Sequence, residues 1–308
     1  MSSESIHYHH AHHHKHQMQS KKTVWISIGL TLVFALLEFL GGLWSHSLAL
    51  VSDSFHMFSD VLALGLSAVA LYYATKKPTS QYTYGYLRSE ALAAFVNGLA
   101  LIVIALGIVS EGIQRFFQPE PIDFMTMLTI ALIGLAVNMV LTWLLMRSLK
   151  QEDNLNVRSA LWHFLGDLFN SIGVIIAAVL VKLTGIVAFD PLISIVISVV
   201  IFLGGYKIVK TAARILMEGT PTRLDSQVVY QALSAHPAVA EVHEFHLWSI
   251  AEEQVSISCH VLLKEYESFC SYTVVRELTE LLNQQFDIAH VTIQVENPVI
   301  NPHVMPAH

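Results

Sequence analysis

The chain has 308 residues, 54% of them hydrophobic and 13% charged, with a mean hydropathy of +0.53. Soluble domains carry about 25% charged residues, so a purely aqueous globule is excluded. The formal net charge is −7, and no basic face or binding motif points to nucleic acid as a partner.

Residues 1–22 form a polar tail rich in histidine: His7, His9, His10, His12, His13, His14 and His16. It reads as a cytoplasmic metal-gathering arm, or in part as an appended affinity sequence, although Tyr8, Ala11 and Lys15 interrupt it. No short apolar stretch of the kind found in a cleavable leader stands beside it. Residues 23–217 hold six apolar spans, predicted at Val24–Trp44, Ser47–Ala74, Glu90–Phe117, Ile122–Ser148, Val157–Leu183 and Asp190–Leu216. Each reaches the ~20 residues needed to cross a bilayer. Pro78, Pro119, Pro121 and Pro191 fall between spans or at their ends, where they break no helix. With six spans, Lys15, Lys21, Lys22, Lys76, Lys77, Arg88, Arg147, Lys150, Arg158, Lys207, Lys210, Arg214 and Arg223 share one side; Arg115 and Lys182 fall near the other. That asymmetry places both termini in the cytoplasm.

Residues 218–308 turn globular. Helices are predicted at Asp225–His236 and Phe269–Phe286, and strands at Val239–Trp248, Gln254–Lys264 and His290–Glu296. The order αββαβ predicts a small cytoplasmic two-layer α+β domain, its sheet covered by the helices on one face and free on the other. Cys259 and Cys270, outside any CxxC pair, read as two reduced, packed thiols.

Ionisable groups inside a span are costly and therefore mark function. Span two carries His56 and Asp60, and span five carries His163 and Asp167. The i, i+4 spacing puts each pair on one helix face. The two spans are antiparallel, so His56 matches Asp167 in depth and Asp60 matches His163. Two imidazoles and two carboxylates suit tetrahedral Zn²⁺, with Cd²⁺ and Co²⁺ as competitors. Asp53 and Asn170 lie seven residues from Asp60 and His163 on the same stripes, as an outer polar path or as partners of neighbouring helices. Interhelical hydrogen bonding is the plainer alternative for the tetrad. A metalloenzyme is disfavoured because no HExxH occurs, and no P-loop implies ATP. Metal requires neutral imidazole and ionised carboxylate, so protons compete with zinc. That predicts Zn²⁺/H⁺ exchange; the rival is a membrane zinc sensor that binds without transport.

The segments HSLALVSDSFHMFSD, YGYLRSEALAAF, LWHFLGDLFNSIGVI, VAEVHEFHLWSI and HVTIQVE resemble the cation diffusion facilitator family, over roughly residues 22–297. The resemblance implies a homodimeric metal/proton antiporter with six helices and a metallochaperone-like C-terminal domain. Its transport site corresponds to His56, Asp60, His163 and Asp167, the zinc-selective pattern. A second, cytoplasmic zinc site is implied at His243, His260, His290 and Glu296. The strand pattern puts His260 on one polar face, and His290 and Glu296 together on another. His243 falls with Phe245 and Leu247, which leaves His246 as an alternate ligand. Arg88 and Glu218 correspond to a charge interlock near the cytoplasmic surface, or to a screened surface pair. The loop Lys76–Tyr86 has no His, Asp or Glu, so a further metal site there is not expected. The short link Gln151–Asn156 favours a bacterial cytoplasmic-membrane member.

Overall fold

A computed structural model describes residues 28–149, 155–251, 254–264 and 270–296. The histidine-rich tail lies outside the described residues, as does most of the 151–156 link. Six long helices come first: α1 (Ile28–Ser45), α2 (Leu48–Ala74), α3 (Ser89–Phe117), α4 (Phe124–Leu149), α5 (Leu155–Thr184) and α6 (Phe189–Leu216). Then follow α7 (Ser226–Ser234), β1 (Val239–Ser249), β2 (Val255–Leu263), α8 (Ser271–Phe286) and β3 (His290–Glu296). The chain divides into two units, Met1–Gly65 with Asn97–Tyr206, and Leu66–Val96 with Lys207–His308.

The first unit has the polarity of a protein in lipid. Ser52, Ser54, Ser59, Ser171, Ser194 and Ser198 are buried, whereas Val103, Phe169, Val200 and Leu203 are exposed. An aqueous fold would reverse this order. Small residues occupy the helix crossings: Ala35, Ala131, Ala177 and Ala178 are buried, as packing without a hydrophobic drive between helices requires. The chain is a multi-pass membrane protein.

In the second unit, β1 pairs antiparallel with β2, and β2 pairs parallel with β3. Val242, Leu247, Ile257, Cys259 and Val261 bury one sheet face against Val229 and Leu233 of α7 and Val274, Leu278 and Leu282 of α8. Asp225 caps α7 by accepting the Gln227 N–H at 2.9 Å. Asp287, at φ 55°, ends α8 in the left-handed conformation, and the Ile288 N–H returns to the Leu282 carbonyl. Only one of the two cysteines is packed. Cys259 is buried and burial pushes its thiol up to about 11. Cys270 is exposed beside α8, where Thr273 and then Tyr272 hold its thiol below the usual value.

Candidate metal centres

The first centre lies where α2 meets α5. His56 Nε2 stands 3.5 Å from Asp167 Oδ1 and 3.9 Å from Asp60 Oδ2. One ligand atom from each of the three residues falls within 4.8 Å of the other two. Ligands at 2.0–2.2 Å from a tetrahedral zinc stand about 3.4 Å apart, so this spacing is close to that of one shared ion. The α2 pair follows from helical pitch alone; Asp167 comes from the facing helix. His163 lies on α5 one turn before Asp167, but its side chain is outside the described residues.

Asp53, one turn toward the start of α2, is buried, with the Asn170 amide of α5 beside it. Around this lining Ser59 donates to Asn97 at 3.4 Å and Asn138 donates to Ser171 at 3.1 Å. Two buried carboxylates escape the His-x-x-x-Asp search. Glu38 is the sole charged residue of α1, and its burial inside a span was the signal that could have found it. Asp190, at the start of α6, accepts hydrogen bonds at the start of α2 from Ser47 Oγ (2.6 Å) and the N–H groups of Leu48 (2.8 Å) and Ala49 (3.3 Å). Its partners lie over 140 positions away in sequence, and no local pattern announces them.

The second centre lies on the sheet face opposite the core. Glu296 is the hub: Oε1 lies 2.9 Å from His260 Nδ1 and Oε2 lies 3.2 Å from His243 Nε2. Its residue is 5% exposed. The two imidazole rings are 5.5 Å apart, edge to face, and the buried His243 Nδ1 has no hydrogen-bond partner. His243 reaches this face because β1 is bulged. His243 pairs with His260 but His246 pairs with Ser258, so three steps on β1 meet two on β2. Glu244, at φ 47°, takes up the extra residue. Alternation through Phe245 therefore puts His243 on the wrong face, and the bulge corrects it.

His290 does not join this centre. It shares a face with Glu296 but lies six residues away along an extended strand, roughly 20 Å at 3.3 Å per residue. There it pairs with Ser256, and its ring meets Tyr84 at 6.4 Å. His246 is also apart, exposed beside Glu244 at 3.4 Å. The residue that pattern reading missed is Gln294. It pairs with His260 in register, and its amide donates to Glu296 Oε1 at 3.3 Å.

Arg88 and Glu218 meet at 3.0 Å. Glu218, at φ 59°, closes α6 in a left-handed cap, and the Gly219 N–H bonds the Arg214 carbonyl at 2.7 Å. A Cβ at Gly219 would stand 2.9 Å from that carbonyl oxygen, so the cap that aims Glu218 needs glycine there. Both side chains are more than a third exposed, and an exposed pair is worth at most about 1 kcal/mol.

Residues 24–217 match the family described as the cation efflux transmembrane domain, and residues 221–298 match the cation efflux protein cytoplasmic domain. The cadmium, cobalt and zinc/H(+)-K(+) antiporter of Bacillus subtilis (strain 168) is 36% identical over 283 residues, 92% of this chain and 91% of that protein. The zinc transporter ZitB of Escherichia coli (strain K12) is 37% identical over 271 residues, 88% of this chain and 85% of that one. The metal cation efflux system protein CzcD of Cupriavidus metallidurans is 33% identical over 277 residues, 90% and 87% respectively.

Proposed function

Because the chain belongs to the cation efflux, or cation diffusion facilitator, family, whose work is metal cation efflux, we propose that it exports Zn²⁺ from the cytoplasm in exchange for H⁺. The ion is held by His56, Asp60, Asp167 and His163, with Cd²⁺ and Co²⁺ as further substrates. The observation that carries this reading is the convergence of His56, Asp60 and Asp167 from two helices onto a volume one ion could fill. Imidazole binds metal when neutral, and carboxylate when ionised. A site facing neutral cytoplasm sheds protons and takes zinc; the same site facing a more acidic exterior takes protons and releases it. Alternating access then needs only helix motion around the site. The relatives named as a zinc transporter and as an antiporter support the same cycle.

We place the protein in a bacterial cytoplasmic membrane with both termini inside, as a homodimer whose Arg88–Glu218 pair steadies the junction of α3 and α6. A regulatory zinc at the cytoplasmic centre would be held by His243, His260 and Glu296. The donor types suit zinc, and the buried, unpartnered His243 Nδ1 fits a centre whose rings reorient on binding. When bound, the ion would supply a cross-link between β1, β2 and β3. Without it, Glu296 holds both rings by hydrogen bonds, and Gln294 holds Glu296. Glu296→Ala should therefore remove one zinc per chain in equilibrium dialysis of the full-length protein. An unchanged count would reject this ligand set.

Proteoliposomes enclosing a zinc-sensitive dye test the main reading. External zinc should enter faster when the lumen is more acidic than the bath, and a protonophore should abolish the difference. Zinc binding without any dye signal would identify a sensor and end the transport proposal.

A further inference from the structure

Glu38 is the buried ionisable residue that the zinc cycle leaves unused. Phe34 and Ala35 of α1 pack with Met57 of α2. The two helices are consecutive, joined by a tight turn, and run in opposite directions. One turn beyond Phe34 on α1 comes Glu38; one turn from Met57 in the matching direction on α2 comes Asp53. Both carboxylates are almost wholly enclosed, Glu38 at 1% and Asp53 at 3% exposure. The negative charge that bears most on Glu38 is that of Asp53, followed by Asp167. Glu38 Oε2 has no hydrogen-bond partner. α4 gives the carboxylate room through Gly134, where a Cβ would stand 2.8 Å from Glu38 Oε1 and 2.6 Å from Phe34 Cζ.

Two enclosed carboxylates need compensating positive charge. Among the described residues of this unit, the lysines and arginines are engaged elsewhere. Arg115 pairs with Glu111 and Glu120 and donates to the His46 carbonyl, and Lys182 lies over the Phe124 ring. His56 bears on Asp53, but a histidine that binds zinc is neutral.

The donor chemistry identifies the class of ion. Glu38, Asp53 and Asn170 offer oxygen donors and no imidazole or thiolate, a hard set that zinc does not favour over the neighbouring His–Asp centre. Mg²⁺ keeps several waters in octahedral geometry, and Ca²⁺ takes 6–8 oxygen ligands. Three nearly dehydrated side chains supply at most five oxygens, about too few for either. A weakly hydrated monovalent cation fits this set. We propose that Glu38, Asp53 and Asn170 form a second cation site, one turn from His56, that binds an alkali cation of potassium size. Its part in exchange rests on the antiport reading above; its existence as a binding site does not.

Equilibrium binding of radioactive Rb⁺, a potassium analogue, to the purified full-length protein in lipid nanodiscs tests it. The wild type should bind one Rb⁺ per chain, displaced by K⁺. Glu38→Gln and Asp53→Asn, both near-isosteric, should each weaken Rb⁺ binding tenfold or more. Gly134→Ala, which keeps every donor and fills the cradle, should weaken it as well and serves if the carboxylate variants fail to fold. No Rb⁺ binding by the wild type would mean that protons neutralise the pair, and would overturn the proposal. Equal binding by wild type and all folded variants would overturn it too. Rb⁺ binding with no zinc flux would sink the transport reading and leave this site standing; zinc flux with no Rb⁺ binding would sink this site alone.

Discussion

Zinc accumulation in inverted membrane vesicles should fall to the level of vesicles lacking the protein when His56 or Asp167 is replaced by alanine. His56 is the shared neighbour of both carboxylates, at 3.5 and 3.9 Å. Its removal takes the nitrogen from the described donors and leaves two like charges facing each other. Asp167 is the described donor that ties α5 to the α2 pair. Without it, an ion held by His56 and Asp60 alone is held by one helix and has no facing carboxylate. Loss of a supporting residue around a metal costs 10–100-fold in affinity, and loss of a direct ligand should cost about 100-fold or more. His56→Ala and Asp167→Ala should therefore agree in effect although they lie on different helices. Normal transport by either one would remove the shared-ion site. The comparison with Glu296→Ala separates the centres, because that change lies in the other unit and should leave the zinc count at His56 intact.

The periodic part of this architecture is legible in the chain. The six apolar spans and the αββαβ order follow from hydrophobic period and turn residues, and the helix and strand ends match within about four residues. The His56–Asp60 pair is legible for the same reason, since i and i+4 share a helix face. What is not legible is whatever breaks the period or joins distant segments. The bulge at Glu244 inverts the face of His243 relative to Phe245 and Leu247, and strict alternation cannot foresee an inserted residue. His290 illustrates the opposite error. Alternation correctly gives it the face of Glu296, but face is not proximity along an extended strand. Glu38 was visible as a lone charge in an apolar span and carried no motif to single it out. Its significance comes from Asp53 on the next helix, which only the packing brings near.

Asp190→Ala should lower the unfolding temperature of the detergent-solubilised protein by on the order of 10 °C, with Asp190→Asn falling between it and the wild type. Asp190 is 0% exposed, and its side chain serves a helix other than its own. Ser47 caps α2, accepting the Leu50 N–H at 3.3 Å, and donates its own hydroxyl to Asp190 Oδ1. The Leu48 and Ala49 N–H groups, which have no acceptor within the first turn of α2, end on the Asp190 carboxylate. A negative charge also suits the positive end of that helix. Alanine would leave one hydroxyl and two amides unpaired in a site closed to water, at about 1–3 kcal/mol for each lost partner and roughly 3–5 kcal/mol together if the buried charge network fails as a unit. One kilocalorie per mole moves the midpoint by about 2–4 °C in domains of this size. Asparagine keeps one acceptor oxygen of the right reach and loses the charge, hence its intermediate rank. The tie matters for transport because α2 carries Asp53, His56 and Asp60 within the next four turns. An α2 released at its first turn can rotate or slide, and His56 then loses its registration with Asp167. Asp190→Ala protein that survives solubilisation should accordingly bind zinc more weakly at the His56 centre while keeping the zinc held by Glu296. Unfolding at the wild-type temperature would mean that the Asp190 carboxylate does not bear on α2.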